Sequence, residues 1–188
     1  QFCDQIVAGI GESAAIDDLD AARAFTAVAH TRASGSGSVV RILRASPGAI
    51  KGLWELGKIH RDIKPGNIMR RLGSGEFVLL DAGLAFDVVG ESLSGGFLVG
   101  TPLYFSPEQF DYSNRRSGLD FRSDMFALGV TMYEALTGKH PFWNPGCSSE
   151  TFCANIRTKT PPPPSHVIAG VPAGLDDVIL RMIGKSPH

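Results

Sequence analysis

Residues 60–69 read HRDIKPGNIM, a run in which charged and amide side chains surround a proline-glycine turn. Directly after it, the apolar residues Ile68 and Met69 are followed by a turn rich in glycine and serine and by a second apolar segment, residues 77–80. This pattern predicts a β-hairpin. Such a hairpin brings Asn67, before its first strand, and Asp81, after its second, to the same end of a small sheet.

The polar residues at this end of the hairpin suit phosphoryl transfer. That reaction needs a group to orient the attacking hydroxyl, cations to neutralise the developing charge, and oxygen ligands for Mg²⁺. Asp62 is a candidate acceptor of the hydroxyl proton, and Lys64 a candidate cation beside the transferred phosphate. Asn67 and Asp81 are candidate Mg²⁺ ligands. The sequence therefore predicts a shared phosphoryl-transfer site.

Helical patterns dominate the rest of the chain. Residues 125–136 are apolar on nearly every face and are followed by Gly138, which predicts a buried central helix at 124–136. Other helices are predicted for residues 47–56, 149–158 and 175–183, and residues 161–164 are expected to form an extended linker. Nearer the N-terminus, the pattern predicts a helix at 17–33 and a strand at 39–43.

The run HRDIKPGN resembles the catalytic loop of eukaryotic-type serine/threonine protein kinases, which carry a lysine at the place of Lys64. Asp81-Ala82-Gly83 is similar to their metal-binding turn. Residues 100–108, GTPLYFSPE, resemble the end of their activation segment. Asp124 and the apolar run after it resemble the family's buried helix, whose aspartate braces the catalytic loop. The resemblance covers residues 50–188.

The resemblance implies an α+β, mainly α fold: a protein-kinase-like C-terminal helical lobe with small β-hairpins and a remnant of the N-terminal lobe. Residues 1–49 would be a partial or degenerate N-lobe-like segment and residues 50–188 the C-terminal lobe. It also implies transfer of the ATP γ-phosphate to serine or threonine hydroxyls of a protein, with ATP and Mg²⁺ as cofactors. The implied catalytic residues are Asp62, Lys64 and Asn67; nucleotide binding falls to Lys64, Asn67 and Asp81, and metal binding to Asn67 and Asp81.

Further roles come from the same resemblance. His60 is similar to a histidine of the family's internal spine, and Arg61 to the arginine that receives a phosphorylated activation segment. Ser92 and Ser94 are candidate phosphorylation sites, with no modification as the open alternative. The residues assigned to the activation segment and its scaffold are His60, Arg61, Gly83, Ser92, Ser94, Thr101, Glu108 and Asp124.

The chain departs from the family pattern in the region that should hold the nucleotide. No lysine precedes Lys51, so the family's nucleotide-anchoring lysine has no candidate. Gly9-Ile10-Gly11 reads as a simple turn rather than a glycine-rich phosphate loop. Ala82 replaces a bulky aromatic residue, which predicts a gap beside His60. The arginine expected to pair with Glu108 would fall after His188, so a trimmed or internally shortened domain is expected.

Three functional hypotheses follow. The first is an active serine/threonine kinase, and the second is a catalytically impaired kinase-like module that binds a peptide or partner. The third is a small-molecule phosphotransferase of the aminoglycoside type, a family that has histidine near the position of Lys64 and lacks the segment resembled by residues 100–108.

The overall composition is that of an ordinary globular protein. The net charge of −1 with interspersed signs gives no indication of a nucleic-acid partner. Three cysteines without metal-ligand spacing indicate free or buried thiols in a reducing compartment, so a cytoplasmic location is expected. No apolar run approaches the ~18 residues of a membrane span. The expected partners are a protein substrate and a possible regulatory protein.

Overall fold

The computed structural model describes residues 48–71, 73–80, 86–87, 102–110 and 119–185, and of residues 86, 87 and 173 it describes the backbone alone. The helix predicted at 17–33 and the strand predicted at 39–43 lie outside these residues, as does the turn expected at Gly9.

The described residues form helices and two small antiparallel strand pairs, as the sequence predicts for a helical lobe. In chain order the elements are α1 (48–55), β1 (Lys58–Ile59), β2 (Ile68–Arg70), β3 (Phe77–Leu79), β4 (Phe86–Asp87), α2 (Phe121–Thr137), α3 (Ser149–Thr158), α4 (Pro164–Val167) and α5 (Ala173–Met182). Short 3₁₀ turns occupy Pro65–Asn67, Pro102–Tyr104 and Pro107–Phe110.

The long helix α2 runs through the hydrophobic core, as predicted. Its residues Leu128, Val130 and Met132 are fully buried. It begins three residues before the predicted start at residue 124, because the side chain of Asp120 accepts the N–H of Arg122 and caps the first turn. It ends where Gly138 adopts a left-handed conformation with φ of 68°.

The predicted hairpin is confirmed by the pairing of β2 with β3. Ile68 lies opposite Leu79 and Arg70 opposite Phe77 in an antiparallel register. A second pair, β1 with β4, was not predicted, and it joins residues 58–59 to residues 86–87. Strands of two residues are too short to show the alternation by which a strand is recognised in a sequence.

The proline run at residues 161–164 differs from the predicted linker at its last residue. Pro164 is the first residue of α4, a position that suits a ring without an N–H donor. Asp176, from α5, accepts the backbone N–H of Ser165 at 2.9 Å and also its hydroxyl. Because this stabilising carboxylate comes from another helix, the local sequence gives no sign of it.

A close helix contact forms at Gly129, where α2 meets the end of α5. An ideal Cβ at this position would lie 2.7 Å from both Met182 Cβ and Ile183 Cγ2, two atoms in well-packed surroundings. Glycine therefore lets α2 approach the end of α5 more closely than any other residue would.

Gly129→Ala should lower the free energy of unfolding by about 1–3 kcal/mol, because the added methyl group overpacks this contact. The matched control is Gly174→Ala in α5, where no atom lies within 4 Å of the added Cβ. That change should be neutral or stabilising by up to about 1 kcal/mol, since alanine favours helix. Urea unfolding of the two variants checks this expectation, and equal losses of stability would contradict it.

The side-chain amine of Lys185 packs against two aromatic rings. Its Nζ lies 3.5 Å from the ring centroid of Phe142 and 5.2 Å from that of Phe126. The atom is buried, and it has no hydrogen-bond partner in the described part of the chain. Burial lowers the pKa of Lys185 to about 7, and the positive charge of Lys159 adds to the effect. The two ring faces oppose this shift, because they favour the charged amine.

Stability should consequently rise with pH between about 7 and 10, where the unfolded chain binds the Lys185 proton and the folded chain does not. Lys185→Met should flatten this dependence and raise the free energy of unfolding at pH 7 by about 1 kcal/mol, a figure reduced for partial solvent screening. Urea unfolding at pH 7 and 9.5, with the exposed Lys139→Met as control, tests this. A loss of stability at pH 7 would mean that the ring contacts outweigh burial.

Candidate active site

The loop at residues 60–64 is fastened to the core by one buried carboxylate. Asp124, in the first turn of α2, accepts the N–H of His60 at 2.7 Å through Oδ2 and the N–H of Arg61 at 2.8 Å through Oδ1. Burial raises the pKa of Asp124, and these two donors act in the opposite direction. The contact expected from the resemblance, between this aspartate and the loop backbone, is present.

Arg61 has a backbone conformation that few residues adopt. Its φ of 69° lies in the left-handed region, and it is the one non-glycine residue with positive φ among those described. Such a conformation is unfavourable for a residue with a Cβ and persists where surrounding contacts enforce it. The bond from its N–H to Asp124 is one of those contacts.

His60 connects the loop to the hairpin. Its Nε2 lies 2.9 Å from the carbonyl oxygen of Leu80, and its Nδ1 lies 3.4 Å from the N–H of Asp62. Since Nδ1 faces a donor, Nε2 carries the proton and donates it to Leu80. The imidazole is buried. It therefore joins the loop to the residue that directly precedes Asp81.

Asp62, Lys64 and Asn67 meet around one carboxylate oxygen. Lys64 Nζ donates to Asp62 Oδ2 at 2.6 Å, and Asn67 Nδ2 donates to the same atom at 3.0 Å. Asn67 Nδ2 also donates to the backbone oxygen of Asp62 at 2.8 Å. Asp62 is only 6% exposed, so its orientation is set by these protein contacts rather than by water.

Asn67 is placed by a turn and by the hairpin together. It ends the 3₁₀ turn Pro65–Asn67, and its carbonyl oxygen accepts the N–H of Leu80 at 2.8 Å, which extends the β2–β3 pairing by one step. Because Nδ2 makes both side-chain contacts to Asp62, Oδ1 is the atom left to meet a cation. An amide oxygen of this kind suits Mg²⁺. Asn67 thus fits the predicted metal site.

Several predicted site residues lie outside the described part of the chain: Asp81, Gly83, Ser92, Ser94 and Thr101. The gap expected beside His60 also depends on such a residue, Ala82. Within the described residues, no three histidine, cysteine, aspartate or glutamate side chains group closely enough to hold a metal. The predicted Mg²⁺ site therefore rests on Asn67 here, with Asp81 as its second predicted ligand.

The segment at residues 102–110 is attached to α2 by two side-chain contacts. Ser123 donates its hydroxyl to Glu108 Oε1 at 2.7 Å, one residue before the bracing aspartate. Tyr104 donates its hydroxyl to Glu134 Oε2 at 2.8 Å, and burial raises the pKa of this phenol. The expected partner of Glu108 was an arginine, and the contact with Ser123 was not predicted. Ser123 directly precedes Asp124, but nothing in its spacing signals the contact.

The family model of the protein kinase domain matches residues 20–187. The chain belongs to the protein kinase family. It is a eukaryotic-type serine/threonine kinase domain, and its relatives carry names of that class. The serine/threonine-protein kinase Pkn1 of Myxococcus xanthus is 40% identical over 158 residues, which cover 81% of this chain and 22% of Pkn1.

Two other relatives agree. The kinase pkn3 of Myxococcus xanthus is 38% identical over 162 residues, 80% of this chain and 28% of pkn3. The kinase PknL of Mycobacterium tuberculosis is 36% identical over 151 residues, 80% of this chain and 36% of PknL. The matched part of this chain thus spans between 22% and 36% of the length of these relatives. They give no support to the small-molecule phosphotransferase hypothesis.

A membrane span was not expected in this kinase domain. Across the described residues, every helix is too short or too polar to cross a bilayer.

Proposed function

We propose that this chain is the catalytic part of a serine/threonine protein kinase, which transfers the γ-phosphate of ATP to a serine or threonine hydroxyl of a protein. The observation that carries the proposal is the buried Asp62 carboxylate, fixed by Lys64 and Asn67 on a loop that Asp124 fastens to the core. A general base of this reaction must be held in one orientation toward the substrate hydroxyl.

Each residue has a separate task in this proposal. Asp62 receives the proton of the attacking hydroxyl, and Lys64 supplies a positive charge beside the phosphoryl group that is being transferred. Asn67 presents Oδ1 toward a metal, and Asp81 is its proposed partner. Bound Mg²⁺ would neutralise charge on the nucleotide phosphates. The Asn67 bond to Asp62 also keeps the general base and the metal ligand in a fixed relation.

Serine and threonine are the proposed acceptors for two reasons. Lys64 stands two residues after Asp62, as the resemblance to serine/threonine kinases implies, and it contacts the Asp62 carboxylate directly. The named relatives are serine/threonine kinases. For the partners, we propose a protein substrate that offers a serine or threonine hydroxyl, together with a regulatory protein.

Transfer of labelled phosphate from Mg-ATP to serine, threonine and tyrosine peptides tests the proposal. We expect transfer to the first two and its loss in Asp62→Asn. Calorimetric titration of the same protein with ATP measures nucleotide binding separately. Absence of both nucleotide binding at millimolar ATP and phosphate transfer would contradict an enzymatic role for this chain.

A second candidate is a catalytically impaired kinase-like binding module. One observation favours it: the first lysine of the chain is Lys51. Its Nζ lies 3.8 Å from Glu55 on α1, and both side chains are substantially exposed, so this lysine belongs to a helix surface. We therefore expect weak ATP affinity for this chain. Phosphate transfer that Asp62→Asn abolishes would exclude the binding-module hypothesis.

We also infer a division into an N-lobe-like segment, residues 1–49, and a C-terminal lobe, residues 50–188. The family match begins at residue 20 and so includes part of both. A cytoplasmic location is proposed from Cys147 and Cys153, which are free thiols as a reducing compartment would keep them.

A further inference from the structure

His140 makes three hydrogen bonds with backbone groups of two separate segments. Its Nε2 lies 2.8 Å from the carbonyl oxygen of Leu103. Its Nδ1 accepts the N–H of Phe142 at 3.1 Å and the N–H of Trp143 at 3.0 Å. Nothing in the proposed phosphoryl-transfer chemistry uses it.

These contacts define the protonation state of the ring. Because two N–H groups point at Nδ1, that nitrogen must be unprotonated, and Nε2 carries the proton that is donated to Leu103. Burial lowers the pKa of His140, and the charge of Lys159 acts in the same direction. The bond to Leu103 and the charge of Glu134 oppose this shift. The ring also packs against Tyr104, Phe142 and Phe152.

The two segments that His140 joins are otherwise distant in the sequence. One is the 3₁₀ turn Pro102–Tyr104, and the other is the loop that follows α2. Each presents a partly exposed apolar side chain: Leu103 is 36% exposed and Trp143 is 38% exposed. One imidazole therefore fixes the backbone beneath both of these surface side chains.

The turn is also connected to the proposed active site through α2. The segment that contains it is bound through Glu108 to Ser123, and the next residue, Asp124, holds the catalytic loop. The same turn of α2 thus positions Asp62 and the segment at residues 102–110. A polypeptide that presents its hydroxyl to Asp62 has to pass over a surface near the loop, and the segment at residues 102–110 is joined to the loop through this turn of α2.

We propose that His140, as the neutral Nε2–H tautomer, is a positioning residue for the polypeptide substrate: it fixes the turn Pro102–Tyr104 to the loop after α2. This inference rests on the proposed protein kinase function. His140 does not touch the reacting atoms. Its effect falls on how well the substrate polypeptide is held, rather than on ATP.

Two substitutions separate the two halves of the contact. In His140→Asn, the amide oxygen takes the place of Nδ1 and can accept from Phe142 and Trp143, but nothing reaches Leu103. In His140→Gln, the longer side chain brings an amide N–H toward the Leu103 oxygen and loses the Nδ1 acceptor. The exposed Lys139→Ala, one residue away, is the matched control.

Amide hydrogen exchange reads out the positioning without any catalytic activity. The N–H of Phe105 bonds to the Pro102 oxygen and reports on the turn, while the N–H groups of Phe142 and Trp143 report on the loop. We expect His140→Asn to speed exchange at Phe105 roughly tenfold and leave the two loop amides protected. His140→Gln should do the reverse. Unchanged exchange at Phe105 in His140→Asn would overturn the proposal.

Steady-state kinetics distinguish substrate positioning from a purely structural role, because only positioning changes KM for the peptide selectively. His140→Asn should raise KM for a peptide substrate roughly tenfold with kcat and KM for ATP unchanged. A fall in kcat at constant peptide KM would overturn the proposal. If the unaltered chain transfers no phosphate, the proposed enzymatic function fails for this chain, and exchange at Phe105 still decides whether His140 positions the turn.

Discussion

Asp62→Asn should slow phosphate transfer by about 10²- to 10⁴-fold, the usual contribution of a positioned general base. Asparagine has nearly the same shape as aspartate, and its amide oxygen can still accept from Lys64 and Asn67. What it lacks is the ability to take a proton from the substrate hydroxyl. The change therefore isolates the chemical role of Asp62 from its structural one.

The folded state should tolerate this substitution. The contact between Lys64 and Asp62 loses its ionic character, but Lys64 is 29% exposed and water replaces part of the interaction. We expect the free energy of unfolding to change by no more than about 1 kcal/mol. The affinity for ATP should be nearly unchanged, because Asn67 keeps its place in the hairpin.

Initial rates at saturating Mg-ATP, together with urea unfolding of the same samples, check both expectations. Asp177→Asn is the matched control, since Asp177 is an exposed residue of α5. Its transfer rate should equal that of the unaltered chain. Retention of more than a tenth of the rate in Asp62→Asn would show that another group accepts the proton.

Elements held together by neighbouring residues could be predicted from the sequence. The β2–β3 hairpin follows from two apolar segments around a glycine-serine turn, and α2 from one long apolar run. α3 agrees with its predicted range because Ser148 caps it locally and Phe152 and Ile156 repeat on its buried face. In each case the decisive contacts lie within one or two helical turns or within one hairpin.

Contacts between distant parts of the chain left no such signal. The bond from Asp124 to His60 spans 64 residues, and only the resemblance to kinases implies it. The bonds from Ser123 to Glu108 and from His140 to Leu103 were not predicted at all. Single polar residues show no periodicity, so their partners emerge only when the fold brings them together.

The candidate site also has a part that could be predicted from neighbouring residues and a part that could not. The local cluster of Asp62, Lys64 and Asn67 was predicted from eight consecutive residues, and the structure brings the three side chains together. How that cluster is fixed depends on α2, which comes more than fifty residues later. The support of the site is therefore the part that the local motif could not contain.

Removal of the Asp124 carboxylate, which supports the catalytic loop, should have a large effect on both stability and phosphate transfer. Asp124→Ala should lower the free energy of unfolding by about 3 kcal/mol, because two buried backbone N–H groups lose a charged acceptor. It should also release Arg61 from its left-handed conformation, which the remaining contacts no longer enforce. Phosphate transfer should fall with it, since Asp62 is the next residue along the loop.

Asp124→Asn gives a milder form of the same change and guards against a variant that does not fold. Its amide oxygen can accept one of the two N–H groups, while its amide N–H₂ faces the other as a second donor. Urea unfolding and amide exchange at His60 and Arg61 measure the result, with Asp177→Asn as the control. We expect exchange at one or both of these amides to rise by tenfold or more.

Ser123→Ala separates the two functions of this turn of α2. It removes the hydroxyl that binds Glu108 and leaves the Asp124 carboxylate in place. The catalytic loop amides should stay protected in this variant while the segment at residues 107–110 exchanges faster. If Asp124→Ala instead kept full stability and a protected loop, the carboxylate would not be the brace, and the fixed orientation of Asp62 would have to come from the hairpin and His60 alone.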